Sequence, residues 1–240
     1  MKCNILFAGL LFLILPGLLQ AQNFSMEQWQ ALPQQLVSKD SISHDGFTLI
    51  MASNDPAFNT ATIKRIEDLF FIVYPKEVRT FNPNAPKKVV LFIDTAFNQI
   101  AASAGNTTHI NPPWLRQHPE DIDLVTHELM HLVQGYPNGQ GSSSWLTEGI
   151  ADYARYAFPV NDSPANWSLP DYNSSQHYYD SYRVSARFLA WLEAHGYNGI
   201  VKKLDTAMRD NSYNDDTWKK VTDKYVDELW REYAAKPAMK

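Results

Sequence analysis

The segment His127-Glu128-Leu129-Met130-His131 sets two imidazoles four residues apart with a carboxylate between them. On a helix, residues four apart share one face, so both rings can reach a single cation. Glu128, rotated by about 100°, is aimed at what the cation binds rather than at the cation itself. That pattern fits water activated by zinc. A dication held by imidazoles at about 2.0–2.1 Å lowers the pKa of its water toward ~7, and a neighbouring carboxylate takes the proton and later returns it to a departing amine. Such a centre keeps three protein ligands and one open position, so a third ligand has to come from elsewhere in the chain.

The metzincin pattern would supply Gly three and His six residues after the second histidine, but those positions hold Gln134 and Pro137. The run Trp145-Leu146-Thr147-Glu148-Gly149-Ile150-Ala151-Asp152 offers two carboxylates four apart, on one face of a second helix. The intervening chain lets the first helix end near Gly135 and a Gly/Ser/Asn loop lead into the second. Glu148 is the preferred ligand, because its longer side chain sits on the nearer turn. Asp152 then accepts the free ring N–H of a ligating histidine; the exchanged assignment, Asp152 on the metal and Glu148 behind it, stays open. Two imidazoles and a carboxylate suit Zn2+, although Co2+ or Mn2+ could use the same ligands. Gln134, one turn beyond His131, either lines the cleft or, the preferred reading, is a solvated helix end.

The elements that must hold these residues follow from periodicity. Residues 46–53 and 87–94 read as strands, the second of them buried and central. Residues 59–73 read as an amphipathic helix ending before Pro75, and 107–111 as a brief edge strand stopped by Pro112-Pro113. His109 on that strand is either an exposed histidine or a neighbour of substrate added as a further strand. Helical spacing then runs over 119–134, 146–157, 177–195, 198–209 and 215–233. The loop 159–175, with Trp167 and Tyr172, is a candidate rim for a cleft. The expected architecture is one α+β domain over 46–240. It has a small mixed sheet with one packed helix, the motif helix, and a mostly helical C-terminal lobe, preceded by a polar lead-in over 22–45.

The 240 residues are 45% apolar and 20% charged, with 14 Pro and 10 Gly, which is the usage of a globular chain and not of a disordered one. Lys2, the apolar run from Ile5 to Leu19 and the small residue Ala21 read as an export signal over 1–21 cleaved near Ala21, giving a secreted or periplasmic protein. The run is broken by Pro16-Gly17 and falls short of the ~20 residues of a bilayer span, so no membrane span is expected. Cleavage would remove Cys3, the single cysteine, and with it any disulfide or thiolate chemistry. The formal net charge of −5 becomes one unit more negative without Lys2, which argues against nucleic-acid and anionic-membrane partners.

Together, His127–His131, the run Trp145 to Arg155, and Tyr182-Arg183-Val184-Ser185-Ala186-Arg187-Phe188-Leu189 resemble the basic secretory protein family, peptidases of plants and bacteria. The likeness extends from about Gly46 to Tyr233. It implies a gluzincin-like zincin fold, a zinc site made by the two motif helices, export, and a polypeptide substrate. It also implies that Tyr182, which opens the third segment, stabilises the oxyanion; the bland alternative is an aromatic residue whose hydroxyl bridges helices. Arg187 is expected to pair with Asp152 or Glu148, or simply to bridge helices. The family is named for basic charge whereas this chain is acidic, so roles tied to a cationic surface do not carry over. Two rival functions share the scaffold: a non-catalytic exported binding module, and a metal-dependent amidase of cell-wall peptides.

Overall fold

The structure, a computed structural model, describes residues 25–137 and 143–239, and the export signal expected over 1–21 lies outside the described residues. Five strands form one mixed sheet: β1 (Ser38–His44), β2 (Phe47–Ser53), β3 (Lys88–Ile93), β4 (Ala101–Ala104) and β5 (Thr107–Ile110), in the order β1-β2-β3-β5-β4. β2, β3 and β5 run parallel, and an antiparallel strand flanks them on either side. Asp45-Gly46 closes the β1–β2 hairpin with positive φ at both positions, a geometry that Asp-Gly turns favour.

Alternation along the central strands sorts the core. Leu49, Met51, Val89, Leu91 and Ile93 face the main cluster, while Ala52, Val90 and Phe92 face a smaller one covered by Leu32 and Leu36. The lead-in expected over 22–45 is therefore structural from Ser25 onward. It contains β1 and the short helix α1 (Met26–Gln30), capped by Ser25, and its leucines shield the back of the sheet. Its sequence is polar because β1 is an outer strand with half-buried and exposed residues throughout.

Three further expectations are corrected. The strand ending at Ile110 is interior, because β4 pairs outside it; Pro112-Pro113 do stop it, and they also open the short helix α3 (Pro112–Gln117). The helix starting after Asn59 continues past Pro75 as α2 (Thr60–Thr80). Pro75 removes one backbone donor, but Tyr74 and Val78 continue the buried face, and that burial outweighs the lost bond. The long helical stretches are also subdivided: α4 (Leu124–Gln134) starts later than the periodicity suggested. α5 (Ser144–Ala157) follows; then a 3-10 turn at Tyr178–Asp180 precedes α6 (Tyr182–Ala194), and α7 (Ile200–Arg209), α8 (Asp216–Thr222) and α9 (Val226–Ala235) complete the lobe. Asp223, at φ +64, ends α8 and separates it from α9.

α4 packs between α2 and α5 and reaches β4, and α5 packs against α6. The α5–α6 approach is close: a Cβ added to Gly149 would lie 2.6 Å from Ser185 Cβ, so glycine is required beside Glu148. Among the described residues no helix is long and apolar enough to cross a membrane.

Candidate metal centre and its cleft

α4 carries His127, Glu128 and His131 and ends at Gly135, whose φ of +53 suits a residue without Cβ. The stop lies where the sequence placed it. α5 brings Glu148 and Asp152 to the same face. Three acceptor atoms converge: His127 Nε2 lies 3.1 Å from His131 Nε2 and 3.2 Å from Glu148 Oε2, and His131 Nε2 lies 3.5 Å from Glu148 Oε2. Ligands about 2.05 Å from a tetrahedral zinc are separated by about 3.3 Å, so the triangle matches that ion's coordination shell.

The other ring nitrogens fix which atoms face inward. His127 Nδ1 lies 2.7 Å from Asp152 Oδ1, and a carboxylate can only accept, so Nδ1 donates and Nε2 is the nitrogen turned toward the other two atoms. His131 Nδ1 lies 2.8 Å from Gln134 Oε1, whose amide nitrogen donates to the Thr147 carbonyl at 2.9 Å; the amide is thereby oriented, and His131 Nε2 is likewise the nitrogen turned inward. Three acceptors this close repel one another unless a proton or a cation lies between them. Burial disfavours charge on His127, yet its hydrogen bonds with Asp152 and Glu148 outweigh burial and push its pKa well above the usual value. Burial acts upward on Glu148 too, and the two histidines hold its carboxyl far below the usual range. A dication held between these atoms would take the place of that proton.

Gln134 corrects an expectation. It is 2% exposed, and instead of forming a solvated helix end it ties α4 to α5 while orienting His131. Glu128 is also buried, and its Oε2 accepts a hydrogen bond from Ser103 Oγ on β4 at 2.8 Å. Tyr182 is exposed, with its ring stacked 6.1 Å from that of His127. Partial burial, then the carboxylates of Glu148, Asp152 and Glu128, raise its phenol pKa. Arg187 points elsewhere: its partners are Asp171 and the Pro237 carbonyl, not Asp152 or Glu148. His109, expected either exposed or beside substrate, is buried, with Nδ1 on Asp94 Oδ2 and Nε2 on the Trp29 carbonyl, each at 2.9 Å. β4, not β5, is the strand at the cleft edge.

Ser103, Glu128, Tyr182 and the three candidate ligands line an open cleft of about 1360 Å³. One wall is a polar strut. Arg155, 4% exposed, donates to Asp121 at 2.6 Å and Asp162 at 2.8 Å and lies 4.4 Å under the Trp167 ring, while Asp121 also accepts from Trp114 Nε1 at 2.8 Å. Trp167 therefore does border the cleft, as the loop reading suggested, whereas Tyr172 packs against Trp230 and Tyr233. Sequence spacing gave no sign of Ser103 or the Arg155 strut as parts of the site, whereas Gln134, one turn beyond His131, was open to a place in the cleft; Arg155 lies three residues after Asp152, near the same helix face.

Comparison with curated proteins gives no match. Among solved structures, the chain is similar to a two-domain M1 zinc metallopeptidase bound to L-tryptophan, at 12% identity and a TM-score of 0.49 over 82% of this chain and 50% of that one. It is also similar to an aminopeptidase N family protein from Idiomarina loihiensis, at 9% identity and a TM-score of 0.39 over 85% and 42%. The chain thus spans half or less of the length of these structures. Residues 38–233 match the family described as peptidase of plants and bacteria, which covers the sheet, both motif helices and the lobe behind them. The chain belongs to this family of peptidases.

Proposed function

We propose that this protein is an exported, zinc-dependent endopeptidase of the zincin type. The observation that carries the reading is the triangle of three acceptors, His127 Nε2, His131 Nε2 and Glu148 Oε2, at tetrahedral-edge spacing in the wall of an open cleft. A zinc ion held there supplies Lewis-acid activation of water and of the scissile carbonyl. Asp152 and Gln134 hold the two imidazoles in the tautomer that offers Nε2. Glu128 is the general base and acid: with Oε2 engaged by Ser103, Oε1 takes the proton of the attacking water and delivers it to the leaving amine. The Tyr182 hydroxyl donates to the oxyanion that forms at the substrate carbonyl.

The cleft's acids support cleavage within chains rather than at their amino ends. Among the described lining residues, Glu120 is paired with Arg65, Asp121 with Arg155 and Asp152 with His127, while Glu128 and Glu148 have the roles given above. None is left over to bind a substrate's terminal ammonium group. Export is supported by Lys2, the Ile5–Leu19 run and the small residue at Ala21.

The test uses the purified chain and a mixed peptide library, with and without 1,10-phenanthroline, alongside elemental analysis. Chelator-sensitive internal cleavage and one zinc per chain are expected. Glu128→Gln should retain the zinc and lose about 10²–10⁴ in kcat. A zinc-loaded chain that cuts no peptide would leave the binding-module reading in its place, and products confined to cell-wall peptides would replace general proteolysis with the amidase.

A further inference from the structure

The general base is held by the sheet. β4 pairs antiparallel with β5 in a register that sets Ser103 opposite Thr108, and their hydroxyls lie 2.7 Å apart. Ser103 Oγ also lies 2.8 Å from Glu128 Oε2. A carboxylate can only accept and a hydroxyl has a single hydrogen, so Ser103 spends its proton on Glu128. Thr108, fully buried, must then supply the hydrogen between the two hydroxyls. The chain of bonds runs one way, from Thr108 to Ser103 to Glu128.

We infer that Ser103 is a positioning residue for Glu128 and that Thr108, by spending its own proton on Ser103, keeps Ser103 donating to the carboxylate. This rests on the proposed role of Glu128. The last torsion of a glutamate is broad, so an unclamped carboxylate samples rotations in which neither oxygen faces the water. With Oε2 tied to β4, Oε1 is the oxygen presented for proton transfer, and the hydrogen bond to Oε2 persists while Oε1 gains and loses its proton. Because β4 is the edge strand beside the cleft, the base is aligned with the sheet edge rather than with α4 alone.

The experiment compares Ser103→Ala, Ser103→Thr, Thr108→Val and the Ser103→Ala/Thr108→Val double variant in kcat, KM, zinc content and unfolding midpoint. A hydrogen bond to a charged group supports a loss of about tenfold in kcat for Ser103→Ala, with KM and zinc unchanged. Ser103→Thr, which keeps the hydroxyl, should recover to within about threefold of wild type, and Thr108→Val should lose about threefold. In a one-way relay the double variant is no slower than Ser103→Ala, and Ser103→Ala in a Glu128→Gln background changes nothing further. Wild-type kcat in Ser103→Ala overturns the role, as does a loss that tracks zinc content or unfolding, or a double variant whose losses multiply. A wild type without chelator-sensitive cleavage overturns the metallopeptidase mechanism itself, and this role with it.

Discussion

Two nearly buried histidines in this fold share the same partner type and do different things. His127 and His109 each place Nδ1 against an aspartate, Asp152 at 2.7 Å and Asp94 at 2.9 Å. What meets Nε2 separates them. For His109 it is the Trp29 carbonyl, with the rings of Trp29, Phe92 and Phe97 around it, and both hydrogen bonds form together only when the ring carries two N–H groups. For His127 it is a second imidazole nitrogen and a carboxylate oxygen on the cleft wall. The aspartate–histidine pair is thus a common part; the third neighbour decides whether it latches α1 to the sheet or faces the candidate metal site.

The widest separation between the two sites is expected on removal of a ring. His131→Ala, which deletes the imidazole facing His127, should lose zinc by elemental analysis and lower kcat/KM by more than about a thousandfold. His109→Gln should keep full zinc and the wild-type kcat, while denaturant unfolding shows a loss of about 1–3 kcal/mol, because Asp94 and the Trp29 carbonyl are left short of donors. Retained zinc in the first variant, or a lost metal in the second, would erase the distinction.

The aspartates give a finer version of the same contrast. Asp152→Asn should weaken zinc binding by about 10–100-fold, read by competition with a chelating dye, because the amide no longer fixes the donor at His127 Nδ1. Asp94→Asn should leave zinc affinity untouched. Equal effects of both on affinity would mean that Asp152 acts through the fold and not through the ring.

Much of the metal side was legible in the sequence, and the base side was not, for a physical reason. His127, His131, Glu148 and Asp152 lie on two helices, where spacings of four fix a shared face, and the Gly135 stop marks where the first helix ends. Ser103 acts through a strand pairing of four residues, Ala-Ala-Ser-Ala, whose half-buried pattern carries no period. Its register with Thr108 is a tertiary fact. Gln134 looked solvated because helix ends usually are, yet the return of α5 buries it. The outer strand β1 and the Trp29 latch escaped notice because their residues are polar or isolated and gain meaning only from the rest of the sheet.

Smaller effects test how rigidly the two helices hold the three ligands. Gly149→Ala places a methyl group 2.6 Å from Ser185 Cβ, inside the closest real contact, and the backbone has to yield. A cost of about 1–3 kcal/mol in stability follows, with weaker zinc binding because Glu148 is the preceding residue. An added Ser185→Gly, which clears the contact, should return zinc affinity toward wild type even though a mid-helix glycine keeps some of the stability loss. If the double variant binds zinc no better than Gly149→Ala, the helix spacing is not what positions Glu148.

The smallest effect concerns the aromatic neighbour on the open side of His127. His109 is enclosed by rings from three segments, whereas among the described residues His127 meets the His131 ring edge-on at 4.7 Å and the Tyr182 ring stacked at 6.1 Å, the latter on a turn where two successive residues have positive φ. Ser181, at φ +65 and ψ +177, occupies a region that is essentially glycine's, at a cost of about 1–3 kcal/mol. Ser181→Gly relieves that strain but gives the unfolded chain more freedom, so a net gain of about 1 kcal/mol is expected, or about 2–4 °C in Tm. Such a strained turn persists only where its surroundings insist on it, and here it fixes the first residue of α6 beside His127 of the candidate metal centre. The same glycine should therefore lower kcat modestly while leaving zinc content unchanged, since Tyr182 loses its preset direction but the ligand triangle does not. Stability and kcat moving in opposite directions is the signature; a variant that loses both, or gains both, would show that the turn serves packing alone.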